Sequence, residues 1–206
     1  MPLPTLAYHK VRPARAEDPR PALAVGPERF AAHVAAFRRW GHRLTAFAGL
    51  AEPWGRRAAL LTFDDGFASV HEHAFPLLAE HRLTATVFLV PGRIGGYNGF
   101  SGNRDASGER LLDACQVREM GAAGTEFGSH TVDHVDLPAV DDATLRRELA
   151  RSRAPSADLV GRDGLLRLKR VILGRSVGPW RLRYRLSRFY EWEHAWKRRR
   201  KGRRRP

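Results

Sequence analysis

Two adjacent carboxylates and a pair of histidines are the residues of this sequence best suited to metal chemistry. Asp64 and Asp65 follow the apolar run of residues 58–63, and a glycine comes directly after them. His130 and His134 lie four positions apart and follow a Gly-Ser pair. One carboxylate and two imidazoles can hold a divalent metal with open positions, a set that fits zinc, cobalt, nickel or iron(II). The other carboxylate is left to act beside the metal.

Such a set of residues predicts hydrolase chemistry. A bound metal can lower the pKa of its water from ~16 to about 7. A neighbouring carboxylate can then accept the proton as the water attacks a carbonyl. Cys115 is the single cysteine, so a thiolate metal site and an internal disulfide are both excluded.

The elements that must position these residues alternate between strands and helices. The uncharged run 58–63 is too short for most helices and predicts a buried strand, which the Asp-Asp-Gly turn ends. Further strands are predicted near residues 5–9, 43–47, 85–90 and 125–129, and helices at 27–40, 69–81, 114–122 and 141–153. This alternation indicates a parallel sheet with the site at the carboxyl edge of its strands.

Two stretches are predicted to lack regular structure. Prolines crowd the first 27 residues, which should be mostly extended or looped after one short strand. Glycines crowd residues 92–102, which predicts a long loop over the mouth of the fold. Tyr97 and Phe100 in that loop could contact a sugar, although a flexible surface loop is the simpler interpretation.

Joined in this order, the motifs resemble those of the NodB-homology polysaccharide deacetylases. The Thr-Phe-Asp-Asp-Gly sequence of residues 62–66 matches the first motif of that family, and His-Thr-Val-Asp-His at 130–134 matches the second. The likeness continues in Leu-Ala-Tyr-His at residues 6–9 and in the predicted strand 85–90 with the Pro-Gly that follows it.

The resemblance implies a distorted (β/α) barrel and a role for each motif residue. It implies that Asp64 is the general base and that Asp65, His130 and His134 hold the metal. Zinc is then the expected ion, with cobalt, nickel and iron as alternatives. The implied substrates are N-acetylated sugars in a polysaccharide or oligosaccharide, and the products are acetate and a free amino sugar.

The likeness stops after His134. Family members carry an Arg-x-Pro-Tyr/Phe-Gly segment, an Asp-Trp segment and a Leu-x-His segment, none of which occurs in this sequence. Residues from Gly164 onward resemble the C-terminal end of some members, which places a junction between Asp158 and Asp163. The expected fold class is therefore α/β, an incomplete NodB-type barrel, whose parallel edge would need a cover. A complete (β/α) barrel typically needs about 250 residues.

The histidine of the missing Leu-x-His segment would be the general acid. His9, His71, His73 and His194 are the remaining candidates, and only His9 lies where the fold could bring it near the metal. A histidine satisfied within the barrel mouth is the favoured interpretation of His9. A truncated, inactive relative that binds metal or sugar is the alternative to an active deacetylase.

Charge marks the same boundary. Residues 1–160 contain 19 basic and 19 acidic residues, whereas residues 161–206 contain 17 basic and 3 acidic ones, which accounts for the net charge of +14. We therefore predict a partial deacetylase domain at 1–160 and a basic tail at 161–206, helical and then disordered. Residues 178–206 could bind nucleic acid or an anionic membrane, although a packed terminal helix with a solvated arm is favoured.

No apolar run approaches the ~20 residues that a membrane-spanning helix needs. The N-terminus also lacks the apolar core of a signal peptide. These features predict a cytoplasmic protein. An extracytoplasmic location stays open, because many members of the family act outside the membrane.

Overall fold

A parallel β-sheet lies at the centre of the computed structural model, which describes residues 3–15, 18, 21–51, 58–99, 108–152 and 170–172. The strands among the described residues are β1 (Thr5–Tyr8), β2 (Lys10–Val11), β3 (Ala24–Val25), β4 (Arg43–Thr45), β5 (Ala58–Phe63), β6 (Thr86–Leu89), β7 (Glu126–Ser129) and β8 (Arg170–Ile172). The main sheet has the order β7, β6, β5, β1 and β8, and β4 pairs with the first half of β5. β2 and β3 form a separate parallel pair.

The α-helices among the described residues lie between these strands in the chain. They are α1 (Pro27–Arg39), α2 (Phe75–Glu80), α3 (Ala114–Ala122) and α4 (Asp142–Arg151). α1 buries Phe30, Val34 and Phe37, which recur at helical spacing. α3 begins at a capping box, in which Asp113 accepts the backbone N–H of Gln116 and the Gln116 side chain accepts the backbone N–H of Asp113.

The central strand β5 is buried at all six positions, as expected of a parallel strand covered on both faces. The pairing between neighbouring strands brings their carboxyl ends together. The last residue of β1, Tyr8, pairs with the last residue of β5, Phe63. The last residue of β6, Leu89, pairs with the last residue of β7, Ser129. The residues that follow these strands therefore emerge at one edge of the sheet, which is where the site residues lie.

A buried ionic cluster fastens β2 to the chain near residue 109. Lys10 Nζ lies 2.8 Å from Glu109 Oε1 and 4.7 Å from the centre of the Phe67 ring. Arg12 donates through Nε to Glu109 Oε2 at 2.7 Å and through Nη1 to Asp18 Oδ2 at 3.0 Å. Since Lys10 and Arg12 are 1% and 5% exposed, these pairs compensate cations that would be costly to bury alone.

Acid is expected to weaken this ionic cluster. Hydrogen bonding to Arg12 holds the pKa of Asp18 at about 2. Burial raises the pKa of Glu109, but hydrogen bonds from Arg12 and Lys10 outweigh burial and hold it at about 2. Both values lie below the unfolded value of about 4. The stability that these carboxylates add is therefore complete above about pH 4.5 and is lost as the pH falls towards 2.

A Glu109→Gln variant should lose about 3 kcal/mol of stability at pH 7, because Lys10 and Arg12 stay buried without that carboxylate. Its melting temperature should also fall less steeply between pH 5 and pH 3 than that of the wild type. Thermal melts across this pH range measure both effects, and Glu80→Gln at the exposed end of α2 is the matched control. Equal pH dependence in Glu109→Gln and the wild type would contradict the assignment.

The predicted alternation of strands and helices is confirmed, with β5 and α3 at the predicted bounds. Two elements differ. The helix predicted at 69–81 begins with a π-helical segment, Val70–Ala74, and α2 covers only its last part. The first 27 residues contain the β2–β3 pair as well as β1, because strands of two residues are too short to show a period.

The basic tail contains one described element, and it is a strand rather than a helix. β8 pairs in parallel with β1, from Thr5↔Arg170 to Ala7↔Ile172, so it covers the β1 side of the sheet. β7, after which the missing strands were expected, is still the end strand on the other side among the described residues. The rest of 161–206, including residues 178–206, lies outside the described residues, and its helical and binding roles stay predictions. Every helix in the described ranges is too short or too polar to span a bilayer.

The glycine-rich stretch 92–102 is held by hydrogen bonds between residues 97–98 and residues 109–110. Tyr97 and Arg110 form an antiparallel bridge, and Asn98, which is fully buried, accepts the backbone N–H of Glu109 at 2.8 Å. Tyr97 is 58% exposed. Residues 100–107, with Phe100, lie outside the described residues, so a sugar contact through this loop stays a prediction.

Candidate active site

The two carboxylates leave β5 through a tight turn. The Asp64 N–H donates to the Tyr8 carbonyl at 2.8 Å, which continues the pairing with β1. Asp65 then adopts a left-handed conformation with φ of 70°, which aspartate tolerates better than most residues. Gly66 follows with φ of 69°, a conformation that glycine adopts without the strain of an L side chain, and a Cβ there would lie 2.8 Å from Leu89 Cδ2. Both carboxylates are buried, at 6% and 5% exposure.

The two histidines lie on a short loop after β7. The His130 N–H donates to the Leu89 carbonyl at 2.8 Å, which places this residue at the same edge as Asp64. Thr131 and His134 both have positive φ, 66° and 58°, so the loop turns back sharply. The two imidazole centroids are 4.9 Å apart in an edge-on arrangement. Both side chains are partly exposed.

The structure brings Asp65, His130 and His134 together. Asp65 Oδ1 lies 3.3 Å from His130 Nε2 and 3.2 Å from His134 Nε2. One ligand atom from each residue lies within 4.8 Å of the others. Asp65 Oδ1 is buried and has no aligned hydrogen bond from any described residue. Three donors around one point, with an oxygen that lacks an aligned donor, fit a divalent cation.

Electrostatics in this group of three favour a negative Asp65. Burial raises the pKa of Asp65, but interactions with the His130 and His134 imidazoles outweigh burial and hold it well below its usual range. The contact with Asp65 also raises the pKa of His134. A charged carboxylate is the form that binds a metal.

Asp64 lies beside this group but is not part of it. Its Oδ2 is 3.9 Å from His9 Nε2, and His9 is mostly buried at the end of β1. The structure thus places His9 next to the predicted base. His71 instead contacts Glu119 at 2.8 Å, and His73 lies 3.9 Å from Glu72. His194 lies outside the described residues.

Reasoning from sequence missed Glu148, which is fully buried on α4. Its Oε2 accepts the backbone N–H groups of Val132 and Asp133, between the two histidines. Leu145, Glu148 and Ser152 recur at helical spacing on one face, but the apolar Leu149 is 54% exposed, so the apolar pattern did not indicate which face of α4 is buried.

The parallel α/β sheet carries the Asp-Asp pair and the two histidines at its carboxyl edge. The family profile for polysaccharide deacetylase matches residues 51–166, which is more than half of the chain. The chain belongs to the polysaccharide deacetylase family.

Curated relatives support this assignment. The chain is 25% identical over 161 residues to YxkH of Bacillus subtilis, a protein named for this family; the match covers 73% of the chain and 50% of YxkH. It is 34% identical over 79 residues to the poly-β-1,6-N-acetyl-D-glucosamine N-deacetylase of Staphylococcus epidermidis, over 38% of the chain and 25% of that enzyme. The chain thus spans half or less of the length of these relatives.

Solved structures confirm the NodB-type fold. The Streptococcus pyogenes deacetylase PplD, solved in complex with acetate, superposes with a TM-score of 0.70 at 21% identity, over 91% of this chain and 99% of that one. IcaB from Ammonifex degensii superposes with a TM-score of 0.56 at 26% identity, over 73% of this chain and 66% of that one. The first of these likenesses is evidence for the fold alone.

Proposed function

We propose that this chain is a metal-dependent hydrolase that removes N-acetyl groups from the amino sugars of a polysaccharide or oligosaccharide. The observation that supports it most strongly is the convergence of Asp65, His130 and His134 beside a second buried carboxylate. In this proposal these three residues hold the metal and Asp64 is the base. Zinc is the proposed ion, because mixed imidazole and carboxylate donors with open positions suit it.

A bound divalent cation would supply Lewis acidity for the acetamide carbonyl and a water of lowered pKa. Asp64 accepts the proton of the attacking water, because it is the carboxylate that the ligand set leaves over. Attack produces a tetrahedral carbon on the substrate, and its collapse requires a proton for the departing amine. His9, 3.9 Å from Asp64, is the described histidine best placed to hold that proton.

The substrate class is proposed from the relatives. One relative is named for poly-β-1,6-N-acetyl-D-glucosamine. Oligomers of N-acetylglucosamine with β-1,6 links are therefore the first substrates to assay, with β-1,4-linked chitooligosaccharides as the comparison.

Acetate release from these oligomers should require the metal. We expect zinc-loaded protein to release acetate, activity to disappear after chelation, and activity to return when zinc is restored. An enzyme-coupled acetate assay with zinc content measured on the same samples tests the proposal. Full zinc occupancy without acetate release would reject the deacetylase function.

An inert relative that binds metal or sugar is a second candidate, favoured by one observation. The sequence contains none of the Arg-x-Pro-Tyr/Phe-Gly, Asp-Trp and Leu-x-His segments of the family. The family resemblance implies that these segments would supply a backbone amide for the oxyanion, and loss of a single oxyanion donor typically lowers turnover by ~10²–10³. This candidate predicts zinc binding that depends on His130, with no acetate released from any oligomer.

A further inference from the structure

Glu148 is a carboxylate buried where helix packing alone does not require one. It is 0% exposed, and Oε2 accepts the N–H of Val132 at 2.8 Å and the N–H of Asp133 at 3.0 Å. Its other oxygen, Oε1, has no hydrogen bond from any described residue and lies 3.6 Å from Arg147 Nη2. Burial of a carboxylate is costly unless its partners compensate, and here the hydrogen-bond partners are the two loop amides.

The loop that Glu148 holds carries both proposed histidine ligands. Thr131 and His134 have φ of 66° and 58°, a conformation that non-glycine residues keep only when their surroundings enforce it. Val132 and Asp133 lie between them. Because both amides donate to Glu148 Oε2, the backbone direction through the turn is fixed. That direction determines where the two imidazoles lie.

The same loop is held from its opposite side by Gly92. The Gly92 N–H donates to the Val132 carbonyl at 2.9 Å. A Cβ at position 92 would lie 2.7 Å from that carbonyl oxygen and 2.7 Å from Asp133 Oδ1, so only glycine allows this approach. The backbone of Val132 therefore donates to α4 and accepts from the chain after β6, which clamps the loop between two elements.

We propose that Glu148 is a positioning residue for the metal centre. Its carboxylate is not among the ligand atoms that Asp65, His130 and His134 bring together, and it acts by holding residues 131–133 so that His130 and His134 meet Asp65. The inference rests on the proposed function, because it assumes that these three residues bind the metal. Partners beyond the ligands commonly change metal affinity by 10–100-fold.

A Glu148→Leu variant removes the acceptor at similar volume, and Glu148→Gln keeps one acceptor oxygen. Titrated with Zn²⁺ alone, Glu148→Leu should bind about 10–100-fold more weakly than the wild type, and Glu148→Gln should recover most of that loss. Leu149→Ala, at an exposed position of the same helix, is the matched control and should bind normally. Wild-type zinc affinity in Glu148→Leu would overturn the proposal.

Amide hydrogen exchange in metal-free protein tests the clamp without the metal. The amides of Val132 and Asp133 should exchange at least 10-fold faster in Glu148→Leu, whereas that of Val87 in the core should not change. If the wild type binds no zinc, the proposed function fails, and exchange still decides whether Glu148 holds the loop. If Glu148→Leu does not fold, Gly92→Ala disturbs the same loop from the other side and should also weaken zinc binding. Normal zinc binding by Gly92→Ala would then reject the clamp.

Discussion

Replacement of Asp64 with asparagine is expected to lower acetate release by about 10²–10⁴-fold and to leave zinc binding intact. Asparagine has the shape of aspartate but cannot accept the proton of the attacking water. Asp64 also lies outside the group of ligand atoms formed by Asp65, His130 and His134. In this variant turnover should therefore fall while the amount of bound zinc stays the same.

The measurement is the initial rate of acetate release at saturating oligomer, with zinc determined on the same protein. Asp136→Asn is the matched control, because Asp136 is exposed and its side chain makes no cap hydrogen bond. Its rate should equal that of the wild type. If Asp64→Asn kept full activity, another group would have to be the base.

Replacement of His130 with alanine should have the largest effect on the metal. Loss of one of three protein ligands should lower zinc affinity by more than about 100-fold, which exceeds the usual effect of residues that only support the ligands. Asp65 would then keep one imidazole contact, from His134 at 3.2 Å. Acetate release should fall to background with it.

The matched control for this variant is His9→Ala. His9 lies at the same edge of the sheet, and its Nε2 is 3.9 Å from Asp64 rather than beside Asp65. We expect His9→Ala to bind zinc normally in a competition titration with a chromogenic chelator. Equal losses of affinity in the two variants would show that the ligand set is wrong.

Much of this site was predictable because strand ends determine where it lies. Residues 58–63 contain no charge and end in Asp-Asp-Gly, so a buried strand with carboxylates at its carboxyl end followed directly. The carboxyl ends of parallel strands lie at the same edge of a sheet, so the sequence alone predicts that His130 lies near Asp65. The proximity of His9 and Asp64 follows from the same rule, since β1 and β5 are paired through Phe63.

The supporting contacts were less accessible to sequence reasoning. Glu148 is a glutamate on a helix with a mostly polar sequence, and nothing local separates an inward carboxylate from a solvated one. The pairing of Lys10 and Arg12 with Glu109 joins residues about a hundred positions apart, and such long-range partners have no periodic signal. β8 was missed because a three-residue strand within a basic segment resembles a helix or an arm.

The order of the strands would give a bound metal a mechanical role in the fold. Asp65 follows the central strand β5. His130 follows β7, which is the end strand on one side of the sheet among the described residues, and β6 lies between β5 and β7. A cation held by both would link strands that do not pair with each other. At a free zinc concentration 100 times its Kd, this link adds about 2.7 kcal/mol to the free energy of unfolding. A variant without catalytic activity would therefore still gain stability from the three metal ligands, because the ion would hold the end strand β7 to the central strand β5.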